Sequence, residues 1–466
     1  MKNSLLTSYY DGITDTTHGE SYNRILRYFF PEFISAFLLY SLPFWFDAYF
    51  IGQLQSTSTY ATLGVTNTLI HLLIKVAEAV SVGTVILSGK FNGAHEYKDV
   101  GRSLRDAFWL NIMLGGMCAS ALFFGAYWIY YAYGVPEKMI GLGVPFLRLQ
   151  ALSLFFMFVS FSFIGFLRGI KNTKVPMYIF SLGIVTFILF DYLFILGKFG
   201  FPQMGLQGSA LAGVVRYAVM TCVGCAYTFL NKENRKYGIQ LFSVFKDISY
   251  IKRLFVLSLP IMLDKALMAM AYMWLGKMVC VMGKEGVAAF SVIKDMERCS
   301  ILPAVAFAQV ITLLVSNDYG TKDWEGIKTN IKKVIFLTSL MVFTIVVIFT
   351  SNAETIIQLF DKKAKFTTLA VYAFPILSIL GFFDLLQLIL AGALRASGNV
   401  NLVVGVRLVI LAGYFLPISY LFSHITFAKP AMQFVFIYGS FYVGNALMSL
   451  AYIQRFRTNE WKKNTI

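Results

Sequence analysis

Asp47 and Asp191 carry the clearest chemistry in this sequence. Each lies inside a long apolar run, Leu42-Pro-Phe-Trp-Phe-Asp47-Ala-Tyr and Leu189-Phe-Asp191-Tyr-Leu-Phe, with no cation within a helical turn of Asp47. A carboxylate taken out of water and left without a cation favours binding a proton or a sodium ion. A second carboxylate nearby strengthens that preference, and the pair then titrates as a unit. Such a group releases its ion when water reaches it, which is the chemistry of ion coupling. Pro43 stands four residues before Asp47, where it removes a backbone hydrogen bond and favours a kink.

Further charges lie in apolar runs: the acids Glu78, Asp264, Asp295, Glu297 and Asp384, and the cations Lys75, Arg148, Arg216, Lys265, Lys277, Lys294, Arg298 and Arg407. In lipid each costs at least about 2.5–3.5 kcal/mol, so each is a functional candidate by default. Lys294, Asp295, Glu297 and Arg298 are dense enough to neutralise one another at helical spacing. His71, Lys75 and Glu78 form an i, i+4, i+7 stripe, which suits a cavity-facing row and a buried structural pair equally. Cys222-Val-Gly-Cys225 has redox or zinc spacing, but no second pair accompanies it, and packing is the expectation.

These residues need elements that hold them in a membrane. The chain has 466 residues, 58% hydrophobic and 14% charged, with a mean hydropathy of +0.67. Soluble proteins carry about 25% charged residues. A soluble globular protein and a disordered one are both excluded. About 20 apolar residues cross the hydrocarbon as a helix. Twelve such stretches are predicted, near 28–52, 61–88, 108–132, 144–167, 176–197, 208–230, 254–282, 286–315, 334–350, 368–393, 400–423 and 430–454. Residues 1–23 are polar, so no cleavable signal peptide is expected and the first span stays as an anchor. The net charge of +16 could suggest nucleic acid. Its distribution says otherwise. Twelve spans place both termini on one side, with twenty-five of the 40 Lys and Arg residues there and seven on the opposite side. That bias predicts cytoplasmic termini.

The chain also repeats itself. Gly165-Phe-Leu167-Arg168-Gly-Ile-Lys-Asn172 and Gly392-Ala-Leu394-Arg395-Ala-Ser-Gly-Asn399 match at an offset of 227, which also aligns Gly93 with Gly320. The expected organisation is a cytoplasmic N-terminal tail (1–27), an N-lobe of six helices (28–230), a basic cytoplasmic linker (231–253), a C-lobe of six helices (254–454) and a cytoplasmic C-terminal tail (455–466). Six is even, so the lobes should be related by a pseudo-two-fold along the membrane normal, as in transporters whose halves rock. In the repeated segments Gly is expected to end the helix and Arg to hold it at the interface. Walker A, His-Glu-x-x-His and Gly-x-Ser-x-Gly signatures are missing from the sequence, so neither ATP-driven transport nor an intramembrane enzyme is expected.

Three segments together resemble the multidrug and toxic compound extrusion (MATE) family. They are Asp47-Ala-Tyr-Phe-Ile-Gly52-Gln-Leu, the stretch from Asp191 through Gly197, Gly200, Pro202, Gly205 and Gly208 to Ala210, and Asp384-Leu-Leu-Gln387 followed by Gly392-Ala-Leu-Arg395. The resemblance covers essentially the whole chain. It implies an all-α polytopic protein of twelve transmembrane helices in two lobes. It also implies H⁺ or Na⁺ antiport of amphipathic, often cationic compounds. In the DinF-like branch the aspartates matching Asp47 and Asp191 couple the ion. In the NorM-like branch the aspartate matching Asp384 sits in a C-lobe cation site. The sequence departs from both patterns. Phe187 stands where DinF-like members have an asparagine. The NorM-like glutamate of the seventh span falls near Met268, with Asp264 one turn earlier.

The resulting expectation is a multidrug efflux antiporter that works by alternating access. Asp47 and Asp191 would couple the ion, and Asp384, Gln387, Asp264, Glu78 and Lys75 would belong to a substrate or cation site. Sodium, if used, would bind at Asp47, Asp191 or Asp384. The partners would be a small-molecule substrate and the lipid bilayer, without nucleic acid or an organic cofactor, and the protein would be a monomer in the cell (inner) membrane. The alternative is a flippase for lipid-linked oligosaccharides, whose anionic headgroup would suit the eight intramembrane cations. Asp47 and Asp191 are the acids expected to remain unpaired.

Overall fold

Backbone groups in hydrocarbon must find partners within their own segment, and the computed structural model meets this with helices. It describes residues 5–54, 56–132, 134, 136–243, 249–361, 365–425, 427 and 429–463, with no strand among them. Lys2, Lys246, Lys362 and Lys363, all used in the count of Lys and Arg, lie outside the described residues.

A short helix α1 (Leu5–Thr14) precedes the spans. The first span is two helices, α2 (Tyr22–Tyr40) and α3 (Leu42–Gly52), which meet at Ser41 with Pro43 in the first turn of α3. The interruption at Ser41 lies beside the proline, where a kink was expected. The next five spans are α4 (Thr57–Gly93), α5 (Tyr97–Ala132), α6 (Glu137–Gly169), α7 (Lys174–Leu196) and α8 (Leu206–Leu230). In the linker, a 3₁₀ turn over Lys232–Tyr237 follows α8. The helical stretch 251–321 is far longer than one crossing of about 30 Å requires. It divides at Gly283, with φ of +74°, into α9 (Ser249–Val279) and α10 (Gly283–Thr321). Then come α11 (Trp324–Ser351), the short unforeseen α12 (Ala353–Phe360) and α13 (Thr367–Ala396). The eleventh span is α14 (Val400–Ile410) and α15 (Leu416–His424), joined by a π-helical turn over Leu411–Phe415. The last span is α16 (Pro430–Arg457). The chain is an all-α polytopic membrane protein of twelve spans in two lobes.

The helices divide into two compact units. One holds residues 30–262, the other residues 1–29 with 263–466, so the divisions fall inside α2 and α9. In the second unit, the turn after α1 is tied to α11. The Glu20 amide donates to Asn330 Oδ1 at 2.7 Å, and Lys333 Nζ donates to the carbonyls of His18 and Glu20 at 3.3 and 3.1 Å.

The offset of 227 survives in three dimensions. α6 ends at Gly169 and α13 at Ala396, 227 residues on. A Cβ on Gly165 would lie 2.7 Å from the Ser81 carbonyl oxygen, and one on Gly392 would lie 3.1 Å from the Ala308 carbonyl oxygen. Ser81 and Ala308 are themselves 227 apart. The expectation that these glycines end helices is therefore corrected. They lie inside α6 and α13, where a missing Cβ lets α4 and α10 approach closely. Arg168 and Arg395, in the last turns of these helices, both meet carboxylates. Arg168 is bidentate on the buried Glu32, at 2.9 and 2.6 Å, and Arg395 reaches Asp264 at 3.8 Å.

Candidate functional site

Asp47 projects from α3 into the first unit and is buried. Ser209, in the first turn of α8, donates its hydroxyl to Asp47 Oδ1. Asp191, on α7, is 0% exposed, and neither carboxylate oxygen has a hydrogen-bond partner among the described residues. The charges of Asp47 and Asp191 act on one another. The close approach of α7 and α8 brings these residues together. Gly208 leaves no room for a Cβ, which would meet the Phe194 backbone at 2.7 Å, and Phe50, Ile51, Leu63, Phe146, Ile195, Leu206 and Ala210 pack as one cluster.

Arg216 on α8 is the cation whose charge reaches Asp47. It is buried, donates to the Leu38 carbonyl at 3.4 Å, and lies over the rings of Phe187 and Tyr217, at 5.6 and 4.9 Å. Thus Asp47 is not wholly unpaired, as was expected. It has a hydroxyl donor and a nearby guanidinium, both from a helix more than 160 residues away in sequence. Among the described residues, Asp191 has no donor. Lys75 and Glu78 pair at 3.2 Å, with Lys75 Nζ also 4.0 Å from the centre of the Tyr40 ring.

In the second unit, α13 and α14 supply arginines to Asp264, and α16 supplies donors to Asp384 and Glu297. Asp264 on α9 lies 2.6 Å from Arg407 Nε and 3.8 Å from Arg395. Asp384 accepts from Asn445 Nδ2 at 2.9 Å. Gln387, 1% exposed and one turn on, has no partner for either amide atom among the described residues. Glu297 accepts from the Tyr438 hydroxyl. On α10, Glu297 turns inward to α16, while Lys294, Asp295 and Arg298 are exposed. Sequence reasoning overlooked Ser209, Tyr438, Tyr442 and Asn445. The polar spacing 438, 442, 445, 449, 452 was the signal for the last three, since it marks one helical face.

The MatE family matches residues 33–193 and 260–421, one segment for each half of the repeat. The chain belongs to this family. It is 24% identical over 387 residues, 81% of each chain, to the probable multidrug resistance protein YoeA of Bacillus subtilis. Its fold matches an outward-facing multidrug resistance MATE family transporter, with a TM-score of 0.85 at 19% identity over 95% of this chain and 96% of that one. The Vibrio cholerae MATE transporter VcmN in its bent form matches with a TM-score of 0.84 at 16% identity, over 95% and 98%. MatE proteins are multi-pass membrane transporters of small molecules, not enzymes; they are ion-coupled and have no prosthetic cofactor.

Two departures from the MatE pattern now have physical content. Phe187, in place of an asparagine, offers its ring to Arg216 instead of an amide to Asp191. Asp264, one turn before Met268, is held by two arginines, Arg407 and Arg395.

Proposed function

We propose that this MatE transporter exports amphipathic, cationic small molecules by H⁺ or Na⁺ antiport, as a monomer in the inner membrane with both termini in the cytoplasm. Asp47 and Asp191 are the coupling pair. The observation that carries this reading is that two buried acids act on one another, that the charge of Arg216 reaches Asp47, and that Asp191 has no hydrogen-bond donor among the described residues. A pair with one surplus negative charge in a low-dielectric site gains a proton or sodium ion readily. Binding the ion from outside would release substrate, and losing it toward the cytoplasm would restore the binding-competent state. The names of the relatives in Bacillus subtilis and Thermotoga maritima, both probable multidrug resistance proteins, support the substrate class.

The test is efflux of a fluorescent cation from proteoliposomes under separately imposed pH and sodium gradients, with Asp47→Asn beside the wild type. Efflux driven equally well in the variant would sink the assignment. A second reading, a flippase for lipid-linked oligosaccharides, is favoured by one observation: the exposed cations Lys277, Lys294 and Arg298 outnumber the exposed Asp295 along α9 and α10. Transport of a phosphate-bearing lipid in the same vesicles, without cation efflux, would select it.

A further inference from the structure

Three acids, Asp264, Asp384 and Glu297, and two arginines, Arg395 and Arg407, lie on α9, α10, α13 and α14. Asp264 is in contact with Arg407 and Arg395, and the charge of Arg407 also acts on Asp384. Two carboxylates therefore face two guanidiniums. Glu297 is the third carboxylate, and the charge it feels from α13 is that of Asp384, which repels its own. From α16 it meets only hydroxyls, Tyr438 as donor and Tyr442 alongside; from α9 the facing group is Tyr272. On its own helix Lys294 lies over the Phe290 ring, and Asp295 and Arg298 are exposed. The charged residues of α11, Glu325, Lys328, Lys332 and Lys333, lie in its first three turns, where α10 ends, and Glu297 is about 36 Å back along α10.

The site is also under-filled in hydrogen bonds. Glu297 Oε1 is buried without a partner among the described residues. Asn445 is 0% exposed and aimed at Asp384 through Nδ2, yet its Oδ1 has no partner either. A buried carboxylate oxygen without a donor, beside an excess of negative charge, is where a proton completes both the hydrogen bonding and the charge balance.

We propose that Glu297 is the proton-binding group of the C-lobe, with Tyr438 and Tyr442 as its hydrogen-bonding partners and Asp384 as the fixed counter-charge to Arg407. This rests on the reading of the chain as an ion-coupled transporter. It moves the C-lobe ion away from the position of Asp384, where the family resemblance puts it. Tyr438 lies only two turns from the start of α16, so Glu297 is the outermost member of the cluster. The proton comes from water at the exposed side of α10 and returns to water when the carboxylate is released.

The experiment is proton uptake by the purified full-length protein on stepping from alkaline to acid pH, followed with an indicator dye. Wild type, Glu297→Gln, Glu297→Asp, Asp384→Asn and Tyr438→Phe are compared. The expected result is uptake of one proton fewer by Glu297→Gln, undiminished uptake by Asp384→Asn, and a shifted midpoint in Tyr438→Phe and Glu297→Asp. Equal uptake by Glu297→Gln and wild type overturns the proposal, as does loss confined to Asp384→Asn. If Glu297→Gln does not fold, unchanged midpoints in both Tyr438→Phe and Glu297→Asp overturn it. The titration needs no transport, so a chain that moved no substrate would fail the vesicle assay above and still answer this one.

Discussion

Ser209 donates its hydroxyl to the Asp47 carboxylate, from the first turn of α8 to the middle of α3. A hydrogen bond to a charged acceptor is worth about 1.5–3 kcal/mol, and one pH unit corresponds to about 1.4 kcal/mol. Removing it in Ser209→Ala strips the carboxylate of that donor. The midpoint of pH-driven efflux should therefore shift by about one to two pH units. A pH series of dye efflux from proteoliposomes checks this, and an unmoved midpoint would show that the hydroxyl does not tune the site.

Arg407 is the main partner of Asp264. Arg407→Ala leaves a buried carboxylate with only the more distant Arg395, and breaking such a pair costs about 3–5 kcal/mol. The variant should unfold at a markedly lower temperature. Asp264→Asn combined with Arg407→Gln should recover much of the loss, because no unpaired charge remains. Thermal unfolding in detergent compares the three proteins.

The two repeat glycines make a paired test. At Gly165 a Cβ would lie 2.7 Å from a backbone oxygen that cannot swing aside, whereas at Gly392 the corresponding distance is 3.1 Å. Gly165→Ala should lose about 1–3 kcal/mol by overpacking. Gly392→Ala should lose less, since a shift of a few tenths of an ångström accommodates it. Equal unfolding temperatures for the two variants would contradict this account.

Trp461 closes the base of the C-lobe from the C-terminal tail. It is 0% exposed, stacks edge-on to Trp324 at 5.5 Å, and its carbonyl accepts from Asn399 at 3.0 Å. Truncating a buried tryptophan to alanine costs about 3–5 kcal/mol. Trp461→Ala should therefore lower the unfolding temperature, while proton uptake per folded molecule stays at the wild-type value.

The spans, the doubling at 227 and the membrane class were all legible in the sequence, for one reason. Apolar length and repeat spacing are properties of the chain in one dimension, and a helix in lipid satisfies its own backbone wherever it stands. The candidate acids could be named on the same ground, because a charge in an apolar run is visible without knowing its neighbours. What each acid meets could not be read in this way. Arg168 finds Glu32 across 136 residues, Ser209 finds Asp47 across 162, and Tyr438 finds Glu297 across 141. These pairings depend on the depth and rotation of each helix, and those are set where backbones touch, as Gly165 does at Ser81 and Gly208 at Phe194. Tertiary packing alone therefore decided that Asp191 has no donor, that Asp264 is held by two arginines, and that Glu297 turns away from its charged neighbours toward α16.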